Sequence, residues 1–286
     1  MPTTYTSADP PQSRTVPYVR LATEKDYPQL IALGTRAFAK DPMLLYVGSV
    51  QQMSSFMAQV QGHTLAPSDE GSLRIFMEFV LYSTLSKHGR ITVAAVPSDL
   101  DNNEMVASAT YWLPPSKLVE TRQATKPRDG AASMLGAWGV GGTARMTEDY
   151  LKKVHNIIVN SFKRRGFQES EVGSSAWYLN LAMTDPALQG RGFLSMLMRE
   201  QFAHAPGQTY ILETTTEKAK NQYLHYGFEL QETFCAGEGQ IGVDGLPATH
   251  ENGAGGVKAY PMIKASAKTI TPCKVVLTSN CLSAVG

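Results

Sequence analysis

The chain has 286 residues, 43% of them hydrophobic, with 26 basic against 25 acidic side chains and a formal net charge of +1. That length and apolar content provide for one large core or two small ones, and the near-neutral charge excludes bulk attraction to nucleic acid or to an anionic membrane. No run approaches the roughly 18 consecutive apolar residues of a membrane span.

Residues 1–17 are rich in Thr, Ser, Pro and Gln and lack an apolar signal core, so a disordered tail is expected there. Tyr18 to Leu21 reads as a first strand. Thr23, with Asp26 three residues on, opens a helix whose apolar spacing runs through Leu30, Ile31, Leu33, Ala37 and Phe38. Asp41-Pro42 ends it, because the residue before a proline is pushed out of helical space. Two more helices are expected over 50–61 and 72–87. Strands follow over 90–96 and 104–113, the second stopped by Pro114-Pro115. The glycine-rich stretch from Gly136 to Gly142 follows no strand and is not read as a nucleotide loop. A helical stripe extends from about Thr147 to Phe162, carrying Tyr150, Leu151, Val154, Ile157 and Ile158.

Trp177 to Thr184 is the next strand, followed by a glycine turn and a helix reaching about His204. Tyr210 to Thr214 is a strand and 216–226 a helix, stopped by Gly227. Strands at 228–235 and 257–264 flank a glycine-rich loop, and 265–286 is expected to be a tail. Strands and helices are intermixed throughout, which points to one α/β domain over 18–264 with helical insertions near 42–88 and 114–176.

The densest signal lies at Leu181-Ala-Met-Thr-Asp-Pro-Ala-Leu-Gln-Gly-Arg-Gly-Phe-Leu194. An apolar strand runs into a glycine turn at the start of a helix. Such a turn offers unpaired N–H groups and the positive end of a helix dipole to an anion, most often a phosphate. The six histidines show no HExxH or paired spacing, and Cys235, Cys273 and Cys281 are few, odd in number and without metal-ligand spacing. No metal site is expected, and a reduced, cytoplasmic compartment fits.

Gln189-Gly-Arg-Gly192 after an apolar strand resembles the Gln/Arg-x-x-Gly-x-Gly/Ala signature of the GNAT superfamily of acyl-CoA-dependent N-acyltransferases. Tyr223-Leu-His-Tyr-Gly-Phe228 resembles its Tyr-x-x-x-Gly-Phe element. Trp112-Leu-Pro-Pro115, Trp177-Tyr-Leu179, Leu212-Glu-Thr214 and Tyr260-Pro-Met262 are similar to the small-molecule branch that includes puromycin N-acetyltransferase. The resemblance covers about residues 18–264. It implies a mixed, mostly antiparallel sheet flanked by helices and splayed between the fourth and fifth strands. It also departs from the family's pattern twice: Leu194 stands where a small residue is usual, and Thr216 where many relatives carry Asn.

The resemblance implies acetyl-CoA as cosubstrate and a small-molecule amine as acceptor, with no nucleic-acid or membrane partner and a monomer or homodimer as the working state. Its pyrophosphate is expected on the backbone of Gln189, Gly190, Arg191, Gly192, Phe193 and Leu194, and its pantetheine arm along Ala182, Met183 and Thr184, with Thr216 beside it. Tyr223 matches the general acid that protonates the leaving thiolate, with Tyr226 one turn on as its rival. Glu213 is a candidate general base; it is equally readable as a partner of the next helix N-terminus. Asp185 either assists or only shapes the turn. Two other readings stay open at this point, a protein or peptide acetyltransferase and a non-catalytic acyl-CoA-binding module.

Overall fold

Eight strands form the frame: β1 (Tyr18–Leu21), β2 (Arg90–Pro97), β3 (Glu104–Leu113), β4 (Ala176–Thr184), β5 (Thr209–Thr214), β6 (Glu229–Leu230), β7 (Phe234–Ala236) and β8 (Val257–Lys264). The structure, a computed structural model, describes residues 16–48, 68–97, 104–116, 131–172, 174–251 and 253–266. The helix expected over 50–61, nearly all of the tail expected over 1–17 and most of the one over 265–286 lie outside the described residues. The sheet order is β1-β2-β3-β4-β5-β8-β6, with β7 also on β8. Every pairing is antiparallel except β4 with β5. This is the mixed, mostly antiparallel α/β architecture that the sequence implies.

The central strands read as nearly continuous apolar runs because helices cover both faces. Helices α1 (Tyr27–Phe38) and α3 (Ser68–Ser86) lay Leu30, Leu33, Met77 and Leu81 against Val93, Ala109 and Tyr111. Helix α7 (Phe193–His204) lies on the other face, where Phe193 and Leu197 meet Ala94 and Ala107, and Met198 meets Trp112 and Leu212. Burying one such side chain contributes about 1.5–3 kcal/mol, so these two layers fix β2 to β4 as a rigid floor.

The first helix begins later than its capping signal. Residues 24–26 form a 3-10 turn before α1, and Asp26 Oδ2 accepts from the Thr23 N–H at 2.7 Å. Asp41-Pro42 ends α1 and at once starts α2 (residues 42–48), which the sequence reading did not separate from its insertion. Proline at a first helical position costs no hydrogen bond, and Asp41 Oδ1 accepts from the N–H groups of Met43 and Leu44, each at 3.0 Å.

The helix expected from Thr147 starts earlier, as α4 (Ala131–Ala144). Gly139, at φ 64°, breaks it, and a π-helical segment follows over Arg145–Leu151 before α5 (Lys152–Arg164) and the short α6 (Glu169–Val172). The strand expected over 228–235 is two short strands on β8. Leu230 faces Met262 and Phe234 faces Ala259, so three residues oppose two. Pro261, which has no N–H to give the ladder, stands at that gap.

Only Ala176–Tyr178 of β4 pair with Thr209–Ile211 of β5; beyond them the strands part. The cause is visible in the β3–β4 register. Tyr111 faces Leu181 and Trp112 faces Leu179, leaving Asn180 as an extra residue. Such a bulge bends its strand, and Asn180 Nδ2 donates to Thr84 Oγ1 of α3 at 3.0 Å. The β5-side backbone edge of residues 179–184 has no strand partner among the described residues.

Candidate active site at the strand splay

The turn after β4 is shaped by Asp185. Its Oδ1 accepts from the Ala187 N–H at 3.0 Å, and its Oδ2 takes Arg36 Nη2 at 2.7 Å. The hydrogen bond from Arg36 holds this carboxyl below its usual range, so Asp185 builds the turn. Gly190 and Gly192 then adopt φ of 80° and 82°, a left-handed conformation that costs other residues about 1–2 kcal/mol. A Cβ at either position would meet nothing within 4 Å. The turn is therefore an open cradle before α7, with the orphan N–H groups of the helix start turned to it.

This cradle opens into a cleft of about 560 Å³. Ala182, Met183 and Thr184 form one wall, and Gln189, Gly190, Gly192, Phe193 and Leu194 the end. Thr216 and, from α8 (Glu217–His225), Tyr223 form the facing wall. Of the residues expected from the sequence, these ten meet there. Arg191 is exposed and outside the wall, and Glu213 lies beside the cleft. Leu194 is half-buried and also packs on the cluster around Trp112, Met198 and Tyr223, so a large residue there adds to the core. Thr216 caps α8, accepting from the Ala219 N–H at 3.3 Å.

Five wall residues escaped the sequence reading: Leu188, Ser195, Lys218, Ala219 and Gln222. The last three share one face of α8 with Tyr223, as positions 218, 219, 222 and 223 of a helix must; that periodicity was a usable signal. Lys218 is the one charged side chain in the wall. Its Nζ reaches across to Gln189 Oε1 at 2.8 Å.

Tyr223 is 6% exposed, and its hydroxyl has no hydrogen-bond partner among the described residues. Burial, then the neighbouring Tyr226 and the charge of Glu213, push its phenol well above the usual range, so it carries its proton at neutral pH. Tyr226 is different: its hydroxyl is engaged by Ser195 Oγ at 2.7 Å. The structure thus separates the two tyrosines.

Glu213 ends β5 at the splay. Its Oε1 accepts from the Tyr178 hydroxyl at 2.6 Å, while Oε2 is enclosed with no partner. Burial pushes this carboxyl up to about 7, although the Tyr178 hydrogen bond pulls the other way. Its charge bears on Tyr223 in the cleft wall and on Tyr150 and Tyr178. Among the described residues, no group of three His, Cys, Asp or Glu side chains is arranged to hold a metal ion.

No family model matches the chain, and no curated protein matches it in sequence. Solved structures do resemble it. Arylalkylamine N-acetyltransferase 2 from Aedes aegypti is 13% identical, with 87% of this chain and 98% of that chain covered and a TM-score of 0.50. A histone acetyltransferase HPA2 and related acetyltransferase from Corynebacterium glutamicum is 20% identical, over 88% of this chain and 97% of that one, at a TM-score of 0.49. A polyamine N-acetyltransferase from Drosophila melanogaster is 16% identical, over 87% and 99%, again at 0.49. The chain has the N-acetyltransferase fold. The glycine turn and splay fall within that fold, and the residues at them are this chain's own.

Proposed function

We propose that this protein is a GNAT-type N-acetyltransferase that moves an acetyl group from acetyl-CoA to a small-molecule amine. The observation that carries the reading is the cleft itself, which joins an open glycine cradle at a helix N-terminus to the side chain of Tyr223 in its wall. The backbone of residues 189–194 would hold the pyrophosphate. The unpartnered edge of Ala182 to Thr184 would pair with the pantetheine amides, which is why those side chains need no special chemistry.

Aminolysis of a thioester needs a neutral amine and a protonated leaving group. Glu213 takes one proton from the acceptor ammonium and releases it to solvent. The freed nitrogen attacks the thioester carbonyl, and the carbon–sulfur bond breaks. Tyr223 gives its proton to the departing sulfur and regains one from the nitrogen as the amide forms, so one proton is released per turnover. Holding both reactants in one cleft supplies much of the rate by proximity. Work in the cytoplasm as a monomer or homodimer belongs to the same reading. So does a place in the branch that includes puromycin N-acetyltransferase, which the Trp112-Leu-Pro-Pro and Tyr260-Pro-Met motifs support.

The test is release of free thiol from acetyl-CoA over a panel of amines. Tyr223→Phe should lower turnover by about 10²- to 10⁴-fold while CoA binding persists. Unchanged turnover in this variant removes Tyr223 from the chemistry. Failure of the native protein to bind CoA removes the acyltransferase reading altogether.

A further inference from the structure

Glu213 is not alone on its side of the splay. Two residues further along the chain, Thr215 gives its hydroxyl hydrogen to Asp41 Oδ2 at 2.9 Å. That bond ties the Asp41 carboxyl to the chain just past the end of β5, the strand that carries Glu213. Tyr150, buried in the π-helical segment, feels the charge of both carboxyls, and π-helical turns are frequent at functional sites. Tyr150 belongs to the core that takes in Met43 of α2, and Tyr178 packs against that core.

The two carboxyls share a further property. Neither is paired with a lysine, arginine or histidine among the described residues. Burial is the leading influence on each and opposes its charge. Asp41 is partly satisfied, by two N–H groups of α2 and by Thr215. Glu213 keeps a buried Oε2 with no partner at all. Orphaned buried oxygens are rare and costly, about 1–3 kcal/mol each and more when charged. A cationic nitrogen at Glu213 Oε2 would satisfy the orphan and offset both charges. A carboxylate there would face two carboxyl groups in poorly solvated surroundings.

We infer that the acceptor is an amine cation carrying no carboxylate on its amine-bearing carbon, seated at Glu213 Oε2, with Asp41 as a second negative pole that rejects acidic acceptors. This rests on the acetyltransferase reading and goes further by naming the acceptor class. Amino acids whose only amine is the α-amine are excluded, whereas their decarboxylated amines are admitted. A decarboxylation is thus the class of reaction suited to supply the substrate.

Matched pairs test this directly: pentylamine with norleucine, phenethylamine with phenylalanine, and isobutylamine with valine. Free-thiol release from acetyl-CoA gives kcat/KM for each. The expected result is at least tenfold preference for the amine in every pair that reacts. Asp41→Asn should narrow that ratio, because asparagine removes the charge yet keeps the oxygen that caps α2. Its melting curve and CoA affinity identify a folded variant, and the native ratios stand if it fails to fold. Amino acids turned over as fast as their amines would overturn the inference. So would a ratio unmoved in folded Asp41→Asn, or a protein that binds CoA and turns over no member of any pair. A protein that neither binds CoA nor releases thiol overturns the acetyltransferase reading instead.

Discussion

Glu213 has the most informative ionisation in the molecule. Its carboxyl titrates near 4.5 when unfolded and about 7 in the folded protein. Ionising it is harder in the fold, so its contribution to stability falls as pH rises from about 4.5 to about 7 and is constant above. Relative to Glu213→Gln, the native protein should lose about 2.5 kcal/mol of unfolding free energy between pH 5 and pH 8. Denaturant titrations at the two pH values measure this, and equal differences at both would show that the carboxyl is not desolvated. A base with this ionisation also gives turnover a limb that rises with pH through about 7. Glu213→Gln should remove that limb. The same residue shows where reading by sequence stopped: its place near the end of β5 was legible, but the burial that changes its chemistry, and its partner Tyr178, 35 positions away, are tertiary facts.

At the scale of elements, the turn and the two helices that flank the cleft differ in how openly the sequence displayed them. The Gln-Gly-Arg-Gly turn was legible because only glycine adopts its positive φ without strain. Tyr223 was legible through its offset from Gly227-Phe228. Lys218 was not, since a lysine on an amphipathic helix is usually only solvated. Its role depends on α8 lying across the cleft from Gln189, a tertiary fact. An isolated cation facing a phosphate cradle should assist the donor, so Lys218→Met should weaken CoA binding about three- to tenfold and reduce its salt dependence. Isothermal titration at two salt concentrations reads both effects. An unchanged affinity would leave Lys218 as a surface tie to Gln189. Helix α2 was hidden for a different reason: Asp41-Pro42 is a stop signal for one helix and a start signal for the next, and the local sequence carries both at once.

For the whole molecule, the order of strands and helices was readable from hydrophobic periodicity, and so was a single mixed sheet. The splay was not readable from periodicity; only the resemblance implied it. It arises from one extra residue, Asn180, which spoils the β3–β4 register at the place where β4 stops pairing with β5. The π-helical segment after the break at Gly139 is likewise held by distant partners in α2, Tyr46 bonding Asp149 and the Val47 carbonyl accepting from Arg145. These features open the sheet at the splay, with the glycine cradle on the α7 and α8 side.

The central claim is that the glycine turn holds the phosphates of coenzyme A, and calorimetric titration of CoA into the native protein and Gly192→Ala tests it most directly. A Cβ at residue 192 meets no neighbour, so the substitution strains only the turn. One site per chain should be seen in the native protein, with affinity at least tenfold weaker in a folded Gly192→Ala. No heat of binding in the native protein, or equal affinity in both, would contradict the account.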